Sequence, residues 1–217
     1  MTDAEKSPQD RPAPPRLEDI RAALASETWN DNLTPAFAPI AHPRITDRMG
    51  RGFYGEDILA RTVTGRGEII LDYGSGIEDV NKGGPDLVTL AEDERGLYVK
   101  CYDNKAYSTR NKVSEVSSLG RNFDKNLEAL RADWRRIAAD AQRTDSERAL
   151  FGAALDALDD EAGPRLERVV TGANGRVVGP GERLTSDGII HENVDPLKDG
   201  PGPEGPDLEG PAYRPVR

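Results

Sequence analysis

In the stretch GGPDLVTLAEDERGLYVKCYDNKAY, residues 83–107, two aspartates and a lysine bracket a pair of apolar runs. Asp86 opens the first run, Asp103 closes the second, and Lys105 follows two residues later. Side chains alternate between faces along a strand. Leu97, Val99, Cys101, Asp103 and Lys105 therefore share one side of an extended segment, and Tyr98, Lys100, Tyr102 and Asn104 share the other. If DLVTL (86–90) pairs with GLYVKCYD (96–103) around the turn AEDER, Asp86 returns beside Asp103. Two carboxylates that close repel each other unless a cation lies between them. Mg²⁺ meets that need with oxygen ligands and keeps waters, one of which can serve as nucleophile. A neighbouring lysine can orient or help deprotonate water and stabilise a phosphorane-like transition state. Two acids, a lysine and a metal make a phosphodiester-cleaving site. The competing reading is a pair of turn-flanking acids and an ordinary edge-strand lysine.

The elements that must position these residues follow from pattern. FYGEDILARTV (53–63) has helical composition and sets Ile58, Leu59, Thr62 and Val63 near one face. GEIILDYG (67–74) reads as a strand, and the two runs above as a hairpin. Across 113–141, Val116, Leu119, Phe123, Leu127, Leu130, Trp134 and Ile137 recur at three- and four-residue steps, which predicts a long helix with one wet face. A further helix is expected over 147–162, a late hairpin from RLERVV (165–170) to RVV (176–178), and a short helix turning into a strand over 182–194. This order predicts an α/β or α+β domain with a small mixed sheet flanked by helices. The domain is expected over 42–197. Before it, residues 1–41 read as a Pro-rich flexible segment holding one short helix with Leu17, Ile20, Ala23 and Leu24 on one side. After it, 198–217 read as a disordered Pro/Gly-rich tail.

Bulk composition excludes several classes. A net charge of −10 in 217 residues argues against coating nucleic acid through bulk electrostatics. Residues 100–136, however, hold 9 Lys/Arg against 5 Asp/Glu, so a basic groove wall remains available beside acidic ends. Cys101 is the single cysteine, which rules out an intramolecular disulfide and suits a reducing compartment. It reads as a small buried hydrophobe rather than a nucleophile. His42 and His191 lie far apart and offer no histidine-rich metal site, each being expected as a solvated or capping imidazole. Trp29 and Trp134 read as packing residues, and Tyr107 as a surface tyrosine. No apolar run reaches the roughly 18 residues of a membrane span, and the polar N-terminus has no secretory-signal pattern.

PD at 85–86 and DNK at 103–105, with the two aspartates 17 positions apart, resemble the PD-(D/E)xK motif of the restriction-endonuclease-like nuclease superfamily. GFYGED (52–57) is similar to the Gly-Glu pair that opens a helix in many members, with Glu56 at the glutamate. DNKAYSTRNKVSEVSSLGRNFDKNL (103–127) and the late RVV…RLTSDGIIHENV look like the corresponding parts of restriction-endonuclease-fold toxin domains from bacterial polymorphic toxin systems. The resemblance covers about residues 42–197. It implies a restriction-endonuclease-like α/β core and a metal-dependent nuclease acting as an interbacterial or phage-related toxin. In that reading Glu56, Asp86 and Asp103 hold Mg²⁺ (or Mn²⁺), the carbonyl of Asn104 adds a ligand, and Lys105 activates water. Glutamate in a first helical turn is also favoured by the helix dipole alone. Arg110, Lys112, Arg121, Asn122 and Lys125 follow the site and can meet phosphates, though a solvated helix face explains them as well. DNA is the first expected substrate and structured RNA of the tRNA type the second, while a non-catalytic binding or adaptor domain would leave Asp86, Asp103 and Lys105 idle. A cognate inhibitor is expected in the producing cell, where the chain would be cytoplasmic before delivery by a specialised secretion system.

Overall fold

The computed structural model describes residues 15–26, 56, 59–73, 84–104, 119–120, 123–172, 183–186 and 188–193. The apolar runs assemble into one six-stranded mixed sheet. Its strands are β1 (Ile69–Tyr73), β2 (Leu87–Asp93), β3 (Gly96–Asn104), β4 (Leu166–Gly172), β5 (Arg183–Ser186) and β6 (Ile189–Asn193). Their order across the sheet is β1-β2-β3-β4-β6-β5. The first three form an antiparallel meander, β4 returns parallel to β3, β6 lies parallel to β4, and β5 closes the far edge antiparallel to β6.

Alternation along β3 explains why both faces need cover. Val99 and Cys101 point to one side and Tyr102 to the other, and all three are fully buried. The first face packs under three helices, α1 (Leu17–Ala25), α3 (Phe123–Ala139) and α4 (Asp145–Leu158), in the main core with Ile69, Leu71, Val88, Leu90 and Val170. Trp134 of α3 meets Phe151 of α4 there at 6.3 Å between tilted rings. The second face, with Ile70, Leu87, Tyr102 and Val169, is covered by Leu59, Ala60 and Val63 of α2, which is helical at residue 56 and over 59–65. Thr144 starts α4 with a reciprocal capping box to Glu147, so this helix runs 145–158 rather than the expected 147–162.

The mixed α/β class, the hairpin and the helical cover on both faces agree with the sequence expectation, while four local readings change. First, α1 was set outside the domain, yet Ile20 and Leu24 are core residues and Arg21 donates to the Glu68 carbonyl at 2.9 Å. A nine-residue helix is not stable alone, and burying two such side chains at about 1.5–3 kcal/mol each is what holds it. Second, the long helix begins at Phe123, because Leu119–Gly120 form a turn. Leu119 keeps the apolar period because it enters the same core, not because it is helical. Residues 113–118 lie outside the described residues. Third, Leu166–Gly172 is an interior strand between β3 and β6, as its buried Val169 and Val170 on opposite faces require, rather than half of a late hairpin. The expected partner run, 176–178, lies outside the described residues. Fourth, Arg183–Ser186 is a strand and not a helix. Gly188, at φ +69, turns the chain so that this segment pairs with β6, with Arg183 opposite Glu192.

Candidate functional site

The β2–β3 ladder runs from Asp93 opposite Gly96 to Leu87 opposite Tyr102. Asp86 then steps off that register. Its N–H donates to the Tyr102 carbonyl at 2.8 Å, and its Oδ2 accepts the N–H of Asn104 at 2.6 Å. Asp86 is thereby bonded to the backbone on both sides of Asp103, and the short charge-assisted bond fixes one carboxylate oxygen. Asp103 is 2% exposed and, by alternation with Val99 and Cys101, faces the main core at the end of its strand. Asp86 is only half-buried. The hairpin thus brings the two aspartates to one rim of the sheet. The parallel strands β3, β4 and β6 also end there, at Asn104, Gly172 and Asn193, and the carboxyl ends of parallel strands are where open α/β sheets bind ligands.

Glu56 lies in α2, ahead of β1 in the chain. Residues 66–68 fold α2 directly into β1 through bonds from Arg66 N–H to the Thr62 carbonyl and from Glu68 N–H to the Val63 carbonyl, both 3.1 Å. Over 59–65 the helix climbs about 9 Å at ~1.5 Å per residue. From 69 to 73 a strand covers about 13 Å at ~3.3 Å per residue. Tyr73, the last residue of β1, pairs with Leu87 beside Asp86. Glu56 is 5% exposed and comes from the α2 side, opposite the face of Asp103. Among the described residues no three His, Cys, Asp or Glu side chains group closely enough to hold a metal ion, so Glu56, Asp86 and Asp103 do not form a closed three-acid cage.

Of the other expected site residues, Asn104 is the last residue of β3 and Lys125 is exposed in the first turn of α3. That turn borders the site: a Cβ placed on Gly84, whose φ is +143, would lie 3.9 Å from Asn126 Nδ2. Lys105, Arg110, Lys112, Arg121 and Asn122 lie outside the described residues, as do Trp29, His42 and Tyr107. Cys101 is fully buried, and its thiol is pushed up to about 12, first by burial and then by the charge of Asp72, against the opposing charge of Arg168. It is a core residue and not a nucleophile. His191, expected as a solvated or capping imidazole, is 8% exposed, and its Nδ1 has no hydrogen-bond partner among the described residues.

The donor set at the rim is all oxygen, from two carboxylates tied to one hairpin. Mg²⁺ is commonly gripped by one or two carboxylates plus substrate phosphates rather than by a full protein cage, so Asp86 and Asp103 fit it without a third acid already in place.

A second acidic cluster was missed by the sequence reading. Glu68 accepts from Thr89 Oγ1 at 2.5 Å, from Lys100 Nζ at 3.0 Å, and from the Tyr102 hydroxyl at 2.9 Å. The Lys100 ammonium also lies 5.0 Å from the Tyr102 ring centroid. Alternation already placed Lys100 and Tyr102 on one face. No local signal named Glu68 as their partner, because it arrives from β1's end of the chain, 32 and 34 residues away.

Compared with known proteins, the chain matches no family model, no curated protein and no solved structure. Among the described residues no helix is long and apolar enough to cross a membrane.

Proposed function

We propose that this chain is a divalent-metal-dependent nuclease of the PD-(D/E)xK type, cutting DNA first among nucleic acids and acting as a bacterial toxin effector with a cognate inhibitor. The observation that carries the reading is the bond from Asn104 N–H to Asp86 Oδ2, which ties the PD aspartate to the strand end that bears the DNK aspartate. The six-stranded mixed sheet with helices on both faces supports the restriction-endonuclease-like core that the motif implies.

Asp86 and Asp103 would hold Mg²⁺ or Mn²⁺, with the carbonyl of Asn104 as a further oxygen and Glu56 approaching from the opposite face of the rim. When bound, such an ion offsets the repulsion of the carboxylates, polarises a phosphoryl oxygen and lowers the pKa of water. Lys105, two residues beyond Asp103, orients the attacking water and balances the negative charge on the phosphoryl oxygens in the transition state. Hydrolysis joins the water oxygen to phosphorus and breaks the bond to the leaving sugar oxygen, which takes up a proton from solvent. Lys125, with Arg110, Lys112, Arg121 and Asn122, supplies the phosphate contacts of a basic wall.

The test incubates the protein with supercoiled plasmid and with total tRNA, each with Mg²⁺ and with EDTA, beside Asp103→Ala and Lys105→Ala. Cleavage of plasmid that needs the metal and both side chains is the expected outcome. Cleavage of tRNA alone would move the substrate to RNA. No cleavage of either, or equal cleavage by the substituted proteins, would sink the assignment.

A further inference from the structure

We infer that Arg168 is a positioning residue that locks the first turn of α3 at its working distance from the Asp86–Asp103 rim. Its kinetic readout rests on the nuclease reading, but its structural basis does not. On β4, Leu166 and Val170 point to the main core, and alternation sends Arg168 to that side with them. A guanidinium on the core side of an interior strand is costly unless its donors are met. Here Nη1 donates to the Leu119 carbonyl at 3.2 Å, and the guanidinium carbon lies 5.4 Å from the centroid of the Phe123 ring. Both contacts fall on the residues where the chain enters α3. Leu119 is itself fully buried, so the carbonyl that Arg168 grips belongs to an anchored turn.

Gly188 makes room for the arginine. A Cβ on Gly188 would come 2.8 Å from Arg168 Nη2, closer than real contacts allow, and φ there is +69. The turn between β5 and β6 is therefore shaped around this side chain as well as for its own bend. At the other end, the Asn126 side chain lies near Gly84, two residues before Asp86: a Cβ built there would be 3.9 Å from its Nδ2. The contacts of Arg168 thus run from the late strands to the first turn of α3, whose Asn126 lies near Gly84 ahead of the acid that opens β2. Lysine cannot replace arginine fully here, because the planar fork both stacks and donates, whereas an ammonium does one at a time.

Two measurements test this with Arg168→Lys and Arg168→Met. The first is amide hydrogen exchange. Residues 119–127 should exchange at least tenfold faster in Arg168→Met and by an intermediate factor in Arg168→Lys, with β2 and β3 unchanged. The second is steady-state cleavage of whichever of plasmid and tRNA the wild type cuts. KM should rise about tenfold in Arg168→Met and about threefold in Arg168→Lys, with kcat within about twofold, as expected when a substrate-gripping wall is displaced but the reacting groups are not. Uniform faster exchange across the sheet, or kcat falling with KM unchanged, would overturn the positioning role. If wild type cuts neither substrate, the nuclease reading has failed, and the exchange measurement still decides the role of Arg168.

Discussion

The sheet carries two acidic sites that differ in what surrounds them and in where they lie. Glu68 sits inside the molecule, its side chain 8% exposed, with three side chains of the same sheet face donating to it. Asp86 and Asp103 sit where strands end, one of them half-buried, and the bond that joins them runs through backbone at the last residue of β3. The Glu68 cluster is closed in on itself among the described residues: its lysine is 9% exposed and its tyrosine and threonine fully buried. At the rim Asp86 keeps partial exposure while Asp103 is 2% exposed, and the first turn of α3 lies alongside. Burial of an acid therefore does not by itself mark a site. Position at the carboxyl ends of parallel strands, where open α/β sheets bind ligands, is what sets the Asp86–Asp103 rim apart from the Glu68 cluster.

Exchanging charge for neutral groups in each region should pull activity and stability apart. Asp103→Asn is expected to remove cleavage by about a thousandfold or more, the loss of roughly 4 kcal/mol of transition-state stabilisation. Its thermal midpoint should move by only a few degrees. Glu68→Ala should do the reverse, leaving Lys100 as an uncompensated buried charge at a cost of about 3–5 kcal/mol. Activity per folded molecule should survive. The double substitution Glu68→Met with Lys100→Met should recover most of that stability, since a buried pair replaced by apolar groups is often neutral. Urea denaturation beside plasmid cleavage reads both quantities. A Glu68→Ala protein that is stable but inactive would erase the distinction.

The same contrast explains what could be read from the chain beforehand. The Asp86–Asp103 rim was legible because alternation and one tight turn fix it within a hairpin, both being short-range rules. The Glu68 cluster was not, since Thr89, Lys100 and Tyr102 meet an acid 21 to 34 residues away, and nothing local records that pairing. The role of α1 was hidden for a related reason. A short helix between prolines resembles a linker until its two apolar residues find the main core. In β5, the turn at Gly188 was recognised, but ERLTS carries no period long enough to separate helix from strand, and the ladder to β6 decided it. Arg168 broke the apolar alternation of its strand, which was the available signal of its contact with Leu119 and Phe123.

Alkaline pH offers a milder probe of the closed side. Burial, then the charge of Glu68 and its hydrogen bond, hold the Tyr102 hydroxyl well above its usual range, and the Cys101 thiol is pushed up to about 12 chiefly by burial. Both groups are neutral in the fold and ionise earlier when unfolded, near about 10 and 8.5. Their contribution is thus fully present below those values and lost as pH rises toward the folded ones. Each should lower stability by about 1.4 kcal/mol per pH unit across its window. Urea midpoints should fall from pH 9 upward and more steeply beyond 10. Cys101→Ala should flatten the first part of that fall and leave the second.

The smallest expected effect lies at Lys125, on the open side. This residue is exposed in the first turn of α3, next to the Asn126 that lies near Gly84, so Lys125→Gln should change stability by no more than about 0.5 kcal/mol. If it meets a phosphate, its loss should reduce the slope of log affinity against log salt by about 0.9. Binding is best measured with Asp103→Ala, which cannot consume the probe, using a labelled DNA duplex across 50–200 mM salt, a span suited to counterion release. An unchanged slope with unchanged affinity would return Lys125 to the solvated face of its helix. The groove would then have to be sought on the other side of the rim, where α2 presents Glu56.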